Sequence, residues 1–295
     1  MENTVCHICS GRDAKLFMKK NGSDFFRCPV CKLEFIFPQP DDVTLTEIYS
    51  GRYYDSWGLH IDSQAAEKSK RLTFEYRLNQ VKNILRSGDK ILDCGCATGF
   101  FLDLVKQKGF TPYGIEISDY AAPIAKGKFG DKNIFQGNIE DAHFAEGEAN
   151  IFNAIFMTDY LEHVRNPGKT LAAAFRFLKP GGVLVITTPD TSSPSKFLFN
   201  KSWIHYKTEH LFYFSRKNIS RLLTQMQFAD VSFKKGIKYF TPEYVFHQFN
   251  VYKHPVFTPL VRSVYRVTSQ TLRKKIFSVP TGEMLVLARK PELKN

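Results

Sequence analysis

The chain has 295 residues, 43% of them hydrophobic, and a formal net charge of +12. That length can bury one large core plus an accessory module, and no apolar run reaches the roughly 18–20 residues that cross a bilayer. Residues Met1–Ser10 are polar and carry cysteines, unlike a secretory leader, so the expectation is a cytoplasmic protein with no transmembrane segment and no structural disulfides. The charge is unevenly placed: residues 196–295 hold 18 Lys and Arg against five Asp and Glu, a net of +13, whereas residues 1–195 come to −1. Such a region suggests either an anionic partner (a phosphorylated metabolite, a nucleotide-sugar, anionic lipid or nucleic acid) or a solubilising surface.

The first feature along the chain is a double C-x-x-C. Cys6 and Cys9 are followed, after 18 residues, by Cys28 and Cys31, a spacing typical of a four-cysteine zinc site. The segment between them reads as two short strands around a turn at Asn21-Gly22. A zinc ribbon is expected, with a redox dithiol as the alternative. Four thiolates leave the ion no open position, so the metal would be structural. Pro38 and Pro40 end the ribbon. Leu45, Ile48 and Tyr49 are spaced for a short helix, and Tyr53, Tyr54 and Trp57 cluster in a loop suited to packing or to a substrate mouth.

From Ala65 to Leu85 a helical pattern carries Leu72, Phe74, Leu78, Val81 and Leu85. Strands and helices then alternate. Strands are expected at "KILDCG", "TPYGIEIS", "KNIFQGNIED", "FNAIFMTDYLEHV", "GVLVITTPD", "FADVSFKKG" and "GEMLVLARK". Helices are expected at 100–108, 120–128, 169–178 and 216–226. This order predicts an α/β fold, a doubly wound, mostly parallel seven-stranded sheet covered on both faces. Ligands of such sheets bind at the carboxyl ends of the strands, which is where Asp93–Gly99, Glu116, Asn138, Thr158–His163 and Thr187–Asp190 fall.

The first of these loops, "ILDCGCATGF", fails the dinucleotide fingerprint G-x-G-x-x-G, because counting from Gly95 gives Ala97 and then the bulky Phe100. Its spacing is D-x-G-x-A/G-x-G, with Asp93, Gly95, Ala97 and Gly99. Small residues there let a ligand approach the backbone closely, and an acidic residue ending the second strand, Glu116, can accept from two ribose hydroxyls. Cys94 and Cys96 read as small packing residues of a tight turn.

These motifs resemble those of class I S-adenosylmethionine (SAM)-dependent methyltransferases. "GNIEDA", "FNAIFMTDYLEHVRNP", "FLKPGGVLVITTPD" and "HLFYFSRKNISRLLTQMQF" are similar to successive stretches of the ubiquinone-biosynthesis type, over about residues 70–235 plus the last strand. Asn138, Asn153 and Gln227 stand where Asp, Asp and Gly are usual. Cysteine pairs like those at the N-terminus also occur among methyltransferases of sugars and small metabolites. The resemblance implies a Rossmann-like methyltransferase fold and SAM as cofactor, contacted by Asp93, Gly95, Cys96, Ala97, Gly99, Glu116, Ile117, Asn138, Ile139 and Thr158. Together with the cysteine spacing and the helical pattern, it divides the chain into an expected zinc-ribbon-like module at 1–42, a helical linker or cap at 43–88, and a SAM-binding domain at 89–295 with a basic, aromatic insertion at about 239–281.

Methyl transfer from a sulfonium needs an aligned nucleophile, exclusion of water and often removal of a proton. His163 and His210 are the leading candidates for that removal, since imidazole titrates near neutral pH; each could instead be a structural histidine. His205 and Tyr206 are weaker candidates. Asp159 and Glu162 could contact cofactor or substrate, Glu162 equally serving as a cap. The expected acceptor is a small molecule (a sugar, a lipid-linked compound or a secondary metabolite), methylated most often at oxygen. The insertion would close over it or lie on a membrane through an amphipathic helix. An RNA methyltransferase gripping phosphates with the basic third is the alternative, although strand four ends in "TDYLEH" rather than [DN]-P-P-[YF]. A binding scaffold without activity is the third reading, against which stand Asp93, Gly95, Gly99 and Glu116.

Overall fold

A computed structural model describes residues 4–41, 43–45, 64–251 and 257–292. Ile48, Tyr49, Tyr53, Tyr54 and Trp57 lie outside the described residues.

At the N-terminus, β1 (Lys15–Lys20) and β2 (Ser23–Arg27) form an antiparallel hairpin. Its turn places Asn21 and Gly22 at φ of 50° and 77°, the left-handed pair that matches the twist of the flanking strands. The two cysteine loops on either side are built alike. Cys6 N–H donates to Gly11 C=O and Ser10 N–H to Cys6 C=O; Cys28 N–H donates to Leu33 C=O and Lys32 N–H to Cys28 C=O. Ser10 and Lys32 both take positive φ, which turns each chain end around its sulfur pair. β3 (Glu34–Ile36) then pairs with β2.

The main body starts with α1 (Gln64–Asn79). The sequence pattern carries this helix to Leu85, but Val81 turns into the core at φ −121° and a 3-10 turn covers Lys82–Ile84. There follow β4 (Lys90–Cys94), α2 (Phe100–Gln107), β5 (Thr111–Glu116), α3 (Ala121–Phe129), β6 (Ile134–Gln136), β7 (Phe152–Thr158), α4 (Pro167–Phe177) and β8 (Leu178–Pro189). Next come α5 (Pro194–Phe199), the two-residue β9 (Phe212–Tyr213), α6 (Arg216–Gln225) and β10 (Ala229–Phe240). Last are α7 (Pro242–Val251), α8 (Phe257–Val267), α9 (Gln270–Arg273) and β11 (Phe277–Arg289).

Seven strands form one sheet in the order β10-β11-β8-β7-β4-β5-β6. β4 to β8 pair in parallel, and β11 runs antiparallel to both β8 and β10. The central strands are apolar on both faces: Ile91 and Leu92 of β4 and Ala154–Met157 of β7 are fully buried, as helices on both sides require. Each such Ile, Leu or Phe contributes about 2 kcal/mol relative to exposure. Strand order reverses between β4 and β7, whose neighbours lead away on opposite sides. β10 and β11 stay paired from Phe240↔Phe277 inward, and α7, α8 and α9 lie between them within the expected insertion.

The second sheet joins the cysteine segment to the main body. Its order is β1-β2-β3-β9, with Glu34 opposite Tyr213 and Phe35 opposite Phe212. The stretch at 210–215 therefore supplies an edge strand to the N-terminal sheet, a pairing too short for an alternation pattern to reveal. Asn218, on α6, reinforces the junction. Its Oδ1 accepts from Ser215 N–H in a reciprocal cap while Nδ2 donates to Cys31 C=O at 2.7 Å. Asn218→Ala keeps the Ser215 cap but removes its reciprocal bond to Ser215 N–H, and it leaves the Cys31 carbonyl without the Asn218 donor. Urea denaturation should show a loss of about 2 kcal/mol in one cooperative transition.

Candidate functional site

The carboxyl ends of β4, β5 and β7 open into a cleft of about 2140 Å³. Asp93, Gly95, Cys96, Ala97, Glu116, Ile117, Asn138 and Thr158 all line it. Gly95 stands at φ +77°, and a Cβ there would approach the Tyr160 ring at 3.0 Å; both the turn and the close approach need glycine. Glu116 is fixed by its own loop: Oε2 accepts from Ala97 N–H at 2.8 Å and Oε1 from Ser118 N–H at 2.9 Å. Asp93 is buried, and its Oδ1 has no hydrogen-bond partner among the described residues. Burial, and then the neighbouring Glu116 charge, push its carboxyl well above the usual range.

Two of the expected contacts sit elsewhere. The Ile139 side chain is fully buried in the main core and does not line the cleft. Gly99, at φ +85°, caps α2 where an added Cβ would fall 2.4 Å from the Phe129 ring, so its constraint is helix packing. Cys94 and Cys96 are buried thiols pushed upward, first by burial and then by the Asp93 charge, which suits packing rather than reaction.

Past Thr158 the chain makes a tight turn. Asp159 takes φ +53° and its N–H donates to Thr187 C=O. Its carboxylate is anchored by Arg77 from α1 at 3.2 Å and by Lys238 from β10 at 3.3 Å; Lys238 also meets Glu283 of β11 at 2.6 Å. Burial opposes charge here, but Lys238 and Arg77 hold the Asp159 carboxyl far below its ordinary value. Asp159 is thus a structural anion, committed to cations from two other elements.

The same turn presents Glu162 and His163, and the chain brings His210 back to them. Leu211 N–H donates to Glu162 C=O at 2.8 Å while Leu211 C=O accepts from Ile36 N–H of β3 at 2.9 Å. The imidazoles of His163 and His210 stand edge to face, 4.7 Å between centroids. One ligand atom from each of Glu162, His163 and His210 lies within 4.8 Å of the others, close enough to share a proton or a divalent cation. Glu162 Oε2 and His210 Nδ1 are buried with no partner among the described residues. Burial, with the Asp159 charge behind it, pushes Glu162 up to about 8. Burial pulls His163 down to about 4, and burial and then His163 pull His210 well below the usual imidazole value. The expectation that these histidines titrate near neutrality is therefore corrected. At pH 7 both are neutral, and the group poised near neutrality is Glu162. His205 and Tyr206 are occupied: His205 Nε2 bonds Thr281 C=O at 2.9 Å and Tyr206 O–H donates to Glu34 of β3.

The four N-terminal sulfurs also converge. Cys6 Sγ lies 3.4 Å from Cys31 Sγ and Cys9 Sγ 3.5 Å from Cys28 Sγ, and all four lie within 4.8 Å of one another. Those separations exceed the ~2 Å of a disulfide and approach the ~3.8 Å edge expected of a tetrahedron with metal–sulfur bonds of about 2.3 Å.

Residues 64–232 match the family described as "Methyltransferase domain". Among curated proteins the chain is similar to the ubiquinone biosynthesis O-methyltransferase of Pseudomonas fluorescens (strain Pf0-1), 31% identical over 117 residues, covering 38% of this chain and 49% of that protein. The corresponding enzyme of Azoarcus sp. (strain BH72) is 31% identical over 105 residues, covering 35% and 45%. The chain thus spans about half the length of the curated relatives it matches. Solved structures share the fold. The Haemonchus contortus phosphoethanolamine N-methyltransferase 2 in complex with S-adenosyl-L-methionine has a TM-score of 0.54 at 14% identity, covering 94% of this chain and 71% of that one. A SAM-dependent methyltransferase from Archaeoglobus fulgidus has a TM-score of 0.52 at 16% identity, covering 81% and 100%. The cleft fits that cofactor. The Asp93 oxygen, without a partner among the described residues, suits a donor such as an ammonium, Gly95 admits close approach, and the Glu116 carboxylate, held in place by Ala97 and Ser118 N–H, is of the acceptor type that a ribose hydroxyl needs. With a matching family model, this sheet topology and this cleft, the chain belongs to the class I SAM-dependent methyltransferases.

Proposed function

We propose that the protein methylates a hydroxyl oxygen of a small-molecule acceptor, lipid-linked or anionic in character, and that its cysteine segment holds one structural zinc ion. The cofactor supplies an activated methyl group. The chain's own residues divide into three tasks. Asp93, Gly95, Ala97, Glu116, Ile117, Asn138 and Thr158 bind and orient the cofactor, Gly99 and Ile139 supporting the loops from behind and Cys96 contributing its backbone. One neutral imidazole, His163 or His210, accepts the hydrogen bond of the acceptor hydroxyl, and as the oxygen is methylated its proton passes through that ring to the Glu162 carboxylate. The observation that carries this reading is the pair of unpartnered buried atoms, Glu162 Oε2 and His210 Nδ1, in a cleft that also contains Asp93 and Glu116. Leaving such atoms unpaired costs about 1–3 kcal/mol each, a cost that an acceptor hydroxyl would offset.

The direct test is incubation with methyl-labelled SAM and fractionated extract of the source cell, with mass spectrometry of products. Label in an O-methylated small molecule is expected; label confined to RNA, or none, contradicts the reading. With the acceptor in hand, a base that must be ionised makes kcat/KM rise with pH to a plateau above about 8. Glu162→Gln should remove that limb and lower kcat by about 10²-fold or more, with SAM affinity by calorimetry unchanged. Activity abolished by a chelator and restored by magnesium would instead assign Glu162, His163 and His210 to a cation. Glu116→Ala should weaken SAM binding by about tenfold or more, as loss of a charged hydrogen-bond acceptor does.

The thiolate set Cys6, Cys9, Cys28 and Cys31 suits zinc, which closes a four-sulfur shell without catalytic access. Metal analysis of protein produced with zinc should give about one ion per chain. Removing it should lower the melting temperature, because the ion binds only the folded arrangement. A molar ratio near zero in folded, stable protein refutes the site.

A further inference from the structure

The insertion between β10 and β11 presents a surface that neither the cofactor cleft nor the core uses. In α8, Phe257, Val261 and Tyr265 turn inward, with Tyr265 stacked on Phe246 of α7 at 4.0 Å between ring centroids. Leu260, Val264 and Val267 fall within about 60° of one another on the helix circumference at 100° per residue, yet they are 55%, 55% and 86% exposed. The helix therefore carries two apolar stripes, one half-buried toward α7 and one left in solvent. α5 adds to the second. Phe197 and Leu198 are 92% and 71% exposed, and Phe199 meets Phe257 edge to face at 4.8 Å, which sets the end of α5 against the start of α8. Isolated exposed apolar side chains need no explanation, but a run of five on two adjoining short helices does.

The charge around this patch has one sign. No Asp or Glu occurs between Glu243 and Glu283, a stretch that holds Lys253, Arg262, Arg266, Arg273, Lys274 and Lys275, and none occurs between Asp190 and Glu209, where Lys196, Lys201 and Lys207 lie. Arg262 and Arg266 lie on the face of α8 turned away from the exposed stripe, and Lys201, Lys274 and Lys275 are exposed. Apolar residues on one face with Arg and Lys on the other characterise helices that lie in a bilayer interface. A second copy of this chain would bring like charges together over the same patch, which disfavours self-association. The patch is also continuous with the cleft: Phe199, Ile204, Tyr244, Phe249 and Phe257 line its mouth, and Ile204 is itself exposed.

We infer that α5 and α8 form a docking surface for a membrane bearing anionic lipid, seating the mouth of the cleft on the bilayer. Phe197, Leu198, Leu260, Val264 and Val267 enter the headgroup boundary, and the Lys and Arg set engages lipid phosphates. Entry of a lipid-linked acceptor directly from the bilayer follows if the acceptor reading above holds; docking itself does not depend on it.

The test is flotation of the full chain with vesicles of phosphatidylcholine alone or with about 40 mol % phosphatidylglycerol. The protein should float with the anionic vesicles, remain below with the neutral ones, and bind less as salt rises. The triple variant Phe197→Ser, Leu198→Ser, Val264→Ser should partition at least about tenfold more weakly, and Arg266→Gln with Lys274→Gln and Lys275→Gln should lose the lipid-charge dependence. Calorimetric SAM affinity in both variants should match the parent, showing that they are folded. No flotation at any lipid composition overturns the proposal, as does flotation unchanged by the triple variant. Concentration-dependent dimerisation that the triple variant abolishes would assign the surface to a second copy. A failed acceptor assay alongside positive flotation would sink the acceptor reading while leaving the docking surface intact.

Discussion

The backbone of Leu211 carries the arrangement. Its N–H bonds the carbonyl of Glu162 and its C=O bonds the N–H of Ile36. One side of this residue therefore belongs to the turn after β7 and the other to the N-terminal sheet. His210 precedes it and β9 follows it, so the imidazole reaches Glu162 because two further residues pair with β3. Backbone hydrogen bonds in a buried segment must be satisfied. Here satisfying them ties a four-cysteine module to a methyltransferase cleft. Tyr206 on Glu34 and Asn218 on Cys31 C=O brace the same loop from both ends. The cysteine segment is in this sense part of the site's scaffold.

The second constraint is electrostatic. Arg77, Asp159, Lys238 and Glu283 form a connected buried chain across α1, the β7 turn, β10 and β11. Replacing one member alone would strand a charge, which is why such chains hold geometry more than they add stability. Asp159 is locked as an anion, and that charge, after burial itself, holds the neighbouring Glu162 at about 8. Two carboxyls three residues apart thus have opposite states: one a fixed counter-ion, one free to take a proton. The neutral pair His163 and His210 follows from the same burial.

Much of this was legible in the sequence. The strands from β4 to β8 follow from apolar runs bounded by Gly, Pro and Asn, and the D-x-G-x-A-x-G spacing separated a SAM loop from a dinucleotide one. The C-x-x-C pairs and the Asn21-Gly22 turn described the N-terminal hairpin. Other parts were hidden for physical reasons. β9 is two residues long, below any periodicity. The partners Arg77 and Asp159, Glu34 and Tyr206, and Glu162 and His210 are distant in sequence, and only folding brings them together. His163 and His210 could be picked out by residue type, but their loss of titration near pH 7 is a property of burial. Gly99 and Ile139 sat in the right motifs, yet their side of the loop faces the helix and the core.

The central claim is that the cysteine module positions His210 against Glu162. Histidine-selective NMR titration of zinc-loaded protein and of Cys28→Ser, with SAM affinity measured on both, tests it most directly. The account predicts that His210 stays neutral well below the ordinary imidazole value of about 6.5 in the loaded protein, and titrates near that value in Cys28→Ser while SAM affinity holds within about twofold. A His210 that keeps its depressed pKa in Cys28→Ser with SAM binding intact would contradict it.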